Sequence, residues 1–309
     1  MIRIRGVALI TALLLTTLAG SVAAGLAWDN ALDVRRTMVM LYRDQAIQVA
    51  VGSEGWVRSI LRDDQANSQS DHLGEIWATE IPALPIDAEA VQGTIYGKIE
   101  DLQGRFNVNN LIDENGAVDQ PSLEQYERLL GALGLDVRLA GITVDWLDTD
   151  QIETIPNGAE DPLYSGLTPA YRTADQRIVS VTELAALDGM DRASYELLLP
   201  HVTALPERTA INVNTASQPV LQSLGPNIGV GDAEGLIALR EDGGFVDFAG
   251  VFAPLIDPTL QPWISETTSY FQLMAVVQID TVRISLFTVL HRDAGSPDVT
   301  PLLRSLGTI

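Results

Sequence analysis

Six carboxylates fall within residues 145–161 (Asp145, Asp148, Asp150, Glu153, Glu160 and Asp161), and no lysine or arginine lies among them. Asp148 and Asp150 have the i, i+2 spacing of calcium loops, and Asn157-Gly158 permits the sharp turn that would bring Glu160 and Asp161 back to the same ion. Hard oxygen donors in this order suit a divalent cation; the alternative is a solvated acidic loop. The twelve-residue EF-hand pattern with its terminal Glu is absent. Other chemistry is thinly provided for. The chain has no cysteine, which removes disulfides, thiolate ligands and cysteine nucleophiles together. Its three histidines, His72, His201 and His291, are too scattered to form a local metal-binding pair. No nucleophile elbow or phosphate loop singles out any carboxylate pair as catalytic, so an enzyme is not expected.

Residues 211–245, INVNTASQPVLQSLGPNIGVGDAEGLIALREDGGF, look like a helix-hairpin-helix unit of the competence-protein kind, with Gly229-Val230-Gly231 as the hairpin. In such a unit, backbone amides at the hairpin and a helix N-terminus hold a phosphate. A membrane-anchored DNA-binding protein is therefore the alternative function. Asp232 and Glu234 stand where a phosphate binder benefits from Lys or Arg, and Glu241 and Asp242 follow. The 41 acidic against 19 basic residues, net charge -22, also repel nucleic acid. No nucleic-acid partner is expected, and a protein-contact role suits the unit better.

The elements that must carry these features begin with a membrane helix. Residues 7–28 contain no charge, and 22 residues of helix span roughly 33 Å, enough to cross a bilayer. Arg3 and Arg5 precede the run and stay cytoplasmic by the positive-inside rule, which sends everything after Asp29 outward. A cleavable secretory signal is disfavoured, because the run is long and no A-x-A site ends it. Helical periodicity continues through Val34, Met38, Leu41, Val49, Trp56 and Ile60, which predicts one helix to about residue 62.

Beyond the helix, Pro82 and Pro85 read as closing a loop. Residues 94–99 alternate as a strand, with residues 104–108 continuing the sheet. Residues 270–279 and 281–291 read as a hairpin turning at Asp280. Between these β regions, helical spacing recurs over residues 123–135, 141–147, 181–187 and 194–202, and Ser180 with Glu183 forms a capping box. The expected divisions are a short start (1–6), a transmembrane part (7–28), a first helix-and-sheet part (29–112), an inserted helical domain (113–205) and a second sheet part (206–292). That second part holds the hairpin unit at 215–245, and residues 293–309 read as a flexible tail.

The apolar helix after a glycine resembles the type IV pilin and pseudopilin class, in which a prepilin peptidase cuts after that glycine, here between Gly6 and Val7, and Val7 is then methylated. The stretches IEDLQGRFNVNNL (99–111), DWLDTD (145–150), NGAEDPLY (157–164), VSVTELAALDGM (179–190) and INVNTASQPVLQSL (211–224) resemble, in order, the minor pseudopilin K family of type II secretion. The resemblance implies an α+β fold, a pilin-like long N-terminal helix packed on an antiparallel sheet, interrupted by a large helical (SAM/helix-hairpin-helix-like) domain. It also implies a noncatalytic subunit at the pseudopilus tip, partnered by minor pseudopilins I and J, with secreted substrates or the outer-membrane secretin as further partners. The implied location is the inner membrane, single-pass, with the head in the periplasm. Bound calcium is implied as well, with Asp148, Asp150, Glu160 and Asp161 as the expected ligands. The fifth mature position, usually Glu in pilins, is Thr11: a subunit with no predecessor has no terminal amine to neutralise, so an uncharged residue fits the tip.

Overall fold

The structure, a computed structural model, describes residues 5–88, 91–240, 243–293, 295–296 and 298–307. Most of the leader, residues 1–4, and Glu241 and Asp242 lie outside this set. Helix α1 (Arg5–Asn67) runs unbroken for 63 residues, about 95 Å at 1.5 Å per residue. It is the one helix among the described residues long and apolar enough to cross a membrane. Its second half is amphipathic. Ala46, Ala50, Val57 and Leu61, spaced four, seven and four residues apart, are fully buried against the sheet.

The sheet is antiparallel throughout, in the order β1 (Ile81–Ala88), β2 (Val91–Asp101), β7 (Tyr270–Ile279), β8 (Val282–Arg292) and β9 (Val299–Leu306). Alternation decides which face meets α1: Phe271, Leu273, Ala275, Val277 and Ile279 of β7 all point to it. The β7–β8 hairpin turns through Asp280, whose φ of 50° is in the left-handed region that Asp tolerates in turns.

The long excursion between β2 and β7 forms a second body. Its elements are β3 (Phe106–Asn107), α2 (Gln120–Ala132), α3 (Leu139–Leu147), α4 (Asp161–Tyr164), α5 (Arg192–Leu198), β4 (Val202–Thr203), β5 (Ile211–Asn212), α6 (Gln218–Ser223), α7 (Val230–Arg240), α8 (Phe248–Phe252) and β6 (Ile264–Ser265). One hydrophobic core runs through it from Phe106 to Ile264 and includes Tyr126 stacked on Phe106, ring centroids 5.1 Å apart. The Ser180–Glu183 capping box is present.

Four expectations are corrected. Pro82 and Pro85 lie in strand β1, which is tolerated because β1 is a sheet edge where a missing N–H breaks no ladder on the open side. Residues 104–108 do not continue the main sheet; β3 pairs in parallel with β4 inside the second body. The hairpin unit at 215–245 packs with the inserted helices, α6 against α2, so the inserted body reaches β6 and does not end at residue 205. The flexible tail is replaced by β9, an edge strand paired to β8. Val299 is fully buried, and Arg304 makes a two-pronged ion pair, 2.7 Å at each contact, with the nearly buried Glu54 of α1.

The two bodies meet around Arg292. Its guanidinium, almost fully buried, binds the carboxylates of Asp64 and Asp71 and the carbonyl of Thr268, and lies 4.7 Å from the Phe271 ring centre. Removing one member of a buried ion pair strands the others, at a cost of about 3–5 kcal/mol. Arg292→Met should therefore lower unfolding stability by about that amount in urea titrations. A loss under about 1 kcal/mol would show the cluster to be ordinary surface pairing.

Candidate functional site

Helix α3 is buried along its whole length and carries Asp145 on its last turn and Asp148 at its C-terminus. Asp145 is fully buried, and its carboxylate accepts from the N–H groups of Thr154 (3.0 Å) and Ala159 (2.7 Å). It thereby folds the loop 148–160 back on itself. Gly158 is required there, because a Cβ would collide with the Asp145 carboxylate and the Thr154 backbone. The closed loop brings Asp148, Asp150 and Glu160 together, with one carboxylate oxygen from each lying within 4.8 Å of the others.

Asp148 Oδ1 and both oxygens of Glu160 are buried with no hydrogen-bond partner. Asp175, in the left-handed region at φ 49°, adds a fourth orphan oxygen, Oδ1, while its Oδ2 accepts from Gln151. Burial, then repulsion from Asp145, Asp148 and Asp175, pushes Glu160 up to about 7. Burial, then repulsion from Asp150 and Asp145, pushes Asp148 up to about 6. Dry, unpaired carboxylates are costly unless protonated or paired with a cation. The donor set fits a hard divalent ion.

Asp161 is not brought to this cluster. Its Oδ1 accepts from the N–H and hydroxyl of Thr173 (3.1 and 3.0 Å), and Oδ2 lies 3.7 Å from Arg172 Nε. Glu160 is extended and Asp161 opens α4, so the two neighbouring side chains diverge. Asp175 lies near enough to repel both Asp148 and Glu160. Local pattern could not reveal this, since Asp175 lies 15 residues beyond Glu160 on another segment.

At the other end of the molecule, the bond between Gly6 and Val7 lies inside α1. The Thr11 hydroxyl donates to the Ala8 carbonyl at 3.0 Å, so it is satisfied within its own helix. In the hairpin unit, the Gly229 amide that a phosphate would need already donates to Asp232 Oδ2 at 2.9 Å. Arg240 is turned inward onto the Val213 carbonyl, and burial lowers its pKa to about 10. The geometry opposes phosphate binding at this unit.

A single helix, apolar and then amphipathic, laid on an antiparallel sheet defines a pilin-like subunit with one segment able to serve as a single-pass anchor. The family described as "Type II secretion system (T2SS), protein K" matches residues 104–207 and again 211–255. The type II secretion system protein K of Pseudomonas aeruginosa is 36% identical, over 93% of this chain and 88% of that protein. That of Klebsiella pneumoniae is 33% identical over 94% and 93%, and that of Aeromonas hydrophila 29% over 97% and 96%. The chain belongs to the type II secretion system protein K family, the minor pseudopilins K. In the crystal structure of the GspK-GspI-GspJ complex from enterotoxigenic Escherichia coli, one chain matches at TM-score 0.77 and 23% identity, covering 89% of this chain and 100% of that one. At that identity the likeness speaks for the fold.

The raised carboxylates set a pH dependence. Their folded pKa values lie above the ordinary carboxylate range, so protons stabilise the metal-free fold, and this stability is lost as pH rises through about 6 to 7. In chelator the melting midpoint should fall between pH 5 and pH 8, and Glu160→Gln should flatten that fall. Asp64, also held at about 7 by burial and by Glu75 and Asp71, titrates in the same window. The decisive quantity is therefore the difference between Glu160→Gln and the parent, and identical slopes would reject the assignment.

Proposed function

We propose that this protein is a noncatalytic minor pseudopilin that caps the type II secretion pseudopilus, joining minor pseudopilins I and J in a complex that initiates assembly and supports secretion across the outer membrane. The observation that carries the tip placement is Thr11. It is uncharged, and its hydroxyl is held by its own helix, so it offers nothing to the terminal amine of a subunit ahead. The inserted body agrees with this, since so large an enlargement of the head would crowd a repeating shaft and is harmless at a free end. The crystallised complex of the E. coli relative, named for GspK, GspI and GspJ, supports the choice of partners.

In this reading a prepilin peptidase cuts between Gly6 and Val7, Val7 is methylated, and α1 remains in the inner membrane. Arg3 and Arg5 hold the start of the chain in the cytoplasm and the head stands in the periplasm. Calcium is structural. Asp148, Asp150 and Glu160 would hold it with Asp175 beside them, and the ion would neutralise carboxylates otherwise left dry and unpaired. The DNA-binding alternative is disfavoured by the Gly229 amide occupied by Asp232 and by the inward turn of Arg240.

Two outcomes test this. With calcium at 100 times its dissociation constant, the protein should gain about 2.7 kcal/mol, read as a higher melting midpoint than in chelator. Equal midpoints would reduce the cluster to a solvated loop. Gold-labelled subunits on overproduced pseudopili should sit at one end only, and label spaced along the shaft would overturn the tip placement.

A further inference from the structure

The main sheet has two faces. α1 lies on the first; on the second, the inserted body rests at one end, where Leu102 and Leu205 pack against Tyr270, Val289 and Leu303. Beside this contact lies a groove of about 540 Å³. Its body wall includes Ile178, Val181 and Val202, and its sheet wall Phe287, Leu302 and Leu303. The two leucines are consecutive, and alternation would send them to opposite faces. The register shift of the β8–β9 ladder at Val289/Leu290 interrupts that alternation and brings both to the groove.

Two further features share this groove. β9 is the last strand of the sheet, and no strand pairs with its outer edge among the described residues. A row of unpaired backbone acceptors and donors, lacking a donor at Pro301, therefore runs beside an apolar trough. Arg105 and Arg177 also line it. Arg105 is committed to Glu100 at 2.8 Å. Arg177 makes one long bond, 3.5 Å, to the Pro206 carbonyl and has no ion pair among the described residues. In a chain of net charge -22, a guanidinium without an acidic partner beside an apolar groove calls for an anion from elsewhere.

We propose that β9 and this groove capture an extended peptide segment as a sixth strand, its alternate apolar side chains seated in the groove and a carboxylate paired with Arg177. Strand addition supplies main-chain hydrogen bonds, and pockets for alternate side chains supply selectivity. The free strand edge favours a peptide over an acyl carboxylate, which would use the trough and the charge but leave the backbone row unpaired. The proposal is independent of the tip placement.

The test uses the full chain in lipid nanodiscs and a fluorescent seven-residue peptide of alternating valine and serine with a free terminal carboxylate. Anisotropy should show saturable binding. Methylating alternate backbone nitrogens of the peptide should weaken it at least about tenfold, because strand pairing is lost while the side chains are kept. Amidating its terminus, or Arg177→Ala, should each weaken it by about tenfold, and the two should not add. The amidated peptide acts on the unaltered protein, so the charge contact stays testable even if the variant misfolds. No saturable binding, or insensitivity to backbone methylation or to both charge changes, would overturn the proposal. So would decanoate competing as well as the peptide, since that result marks an acyl site.

Discussion

The burial of Arg292 is the constraint on which the head depends. One guanidinium reaches the end of α1 through Asp64, the segment after it through Asp71, and the return from the inserted body through the Thr268 carbonyl. A charge taken that far from water persists only with its donors satisfied, so each of these segments is held in one place by the same group. Asp71 extends the arrangement: its Oδ2 accepts from the Thr268 N–H and its carbonyl from the Asn212 side chain. Burial, and then repulsion from the nearby Glu75 and Asp71, pushes Asp64 up to about 7 despite its ion pair with Arg292.

Inside the inserted body, side-chain amides stand in for backbone. Asn109 Oδ1 accepts from Ile178 N–H while its Nδ2 donates to the carbonyls of Ile178 and Leu205, so one side chain takes the role of a neighbouring strand. Asn107 and Asn110 do the same for the stretch around Thr209, and Asn212 and Thr215 close on the buried Asp101. Stretches 99–111 and 211–224, two of those on which the family resemblance rests, are thus structural. They satisfy the buried polar groups that irregular backbone would otherwise leave without partners.

The same physics runs in reverse at the acidic loop. There Asp145 is fully used in closing the loop, while Asp148 Oδ1 and both oxygens of Glu160 are buried without a donor. One carboxylate organises the loop and the others are left for an ion. The overall negative charge of the chain does not account for this arrangement; burial, and then repulsion among the clustered acids, makes the difference.

Much of this was legible in the chain. The length and unbroken apolarity of residues 7–28, the helical period that follows, the alternation of residues 270–279 and 281–291, the capping box at Ser180 and the i, i+2 acids at Asp148 and Asp150 are local patterns, and local patterns depend on backbone geometry that the sequence itself specifies. Three things were decided only by tertiary structure. Pro82, Pro85 and the last residues became edge strands because the sheet had edges to give them and α1 had Glu54 to hold Arg304. Asp161 left the cluster for Thr173 because chain direction, not spacing, chooses which carboxylate faces inward. The hairpin unit joined the inserted body because its apolar faces found α2, a partner nearly 100 residues away that no local pattern can name. In each case the outcome turned on contacts between residues distant in sequence, which carry no signal until the chain has folded.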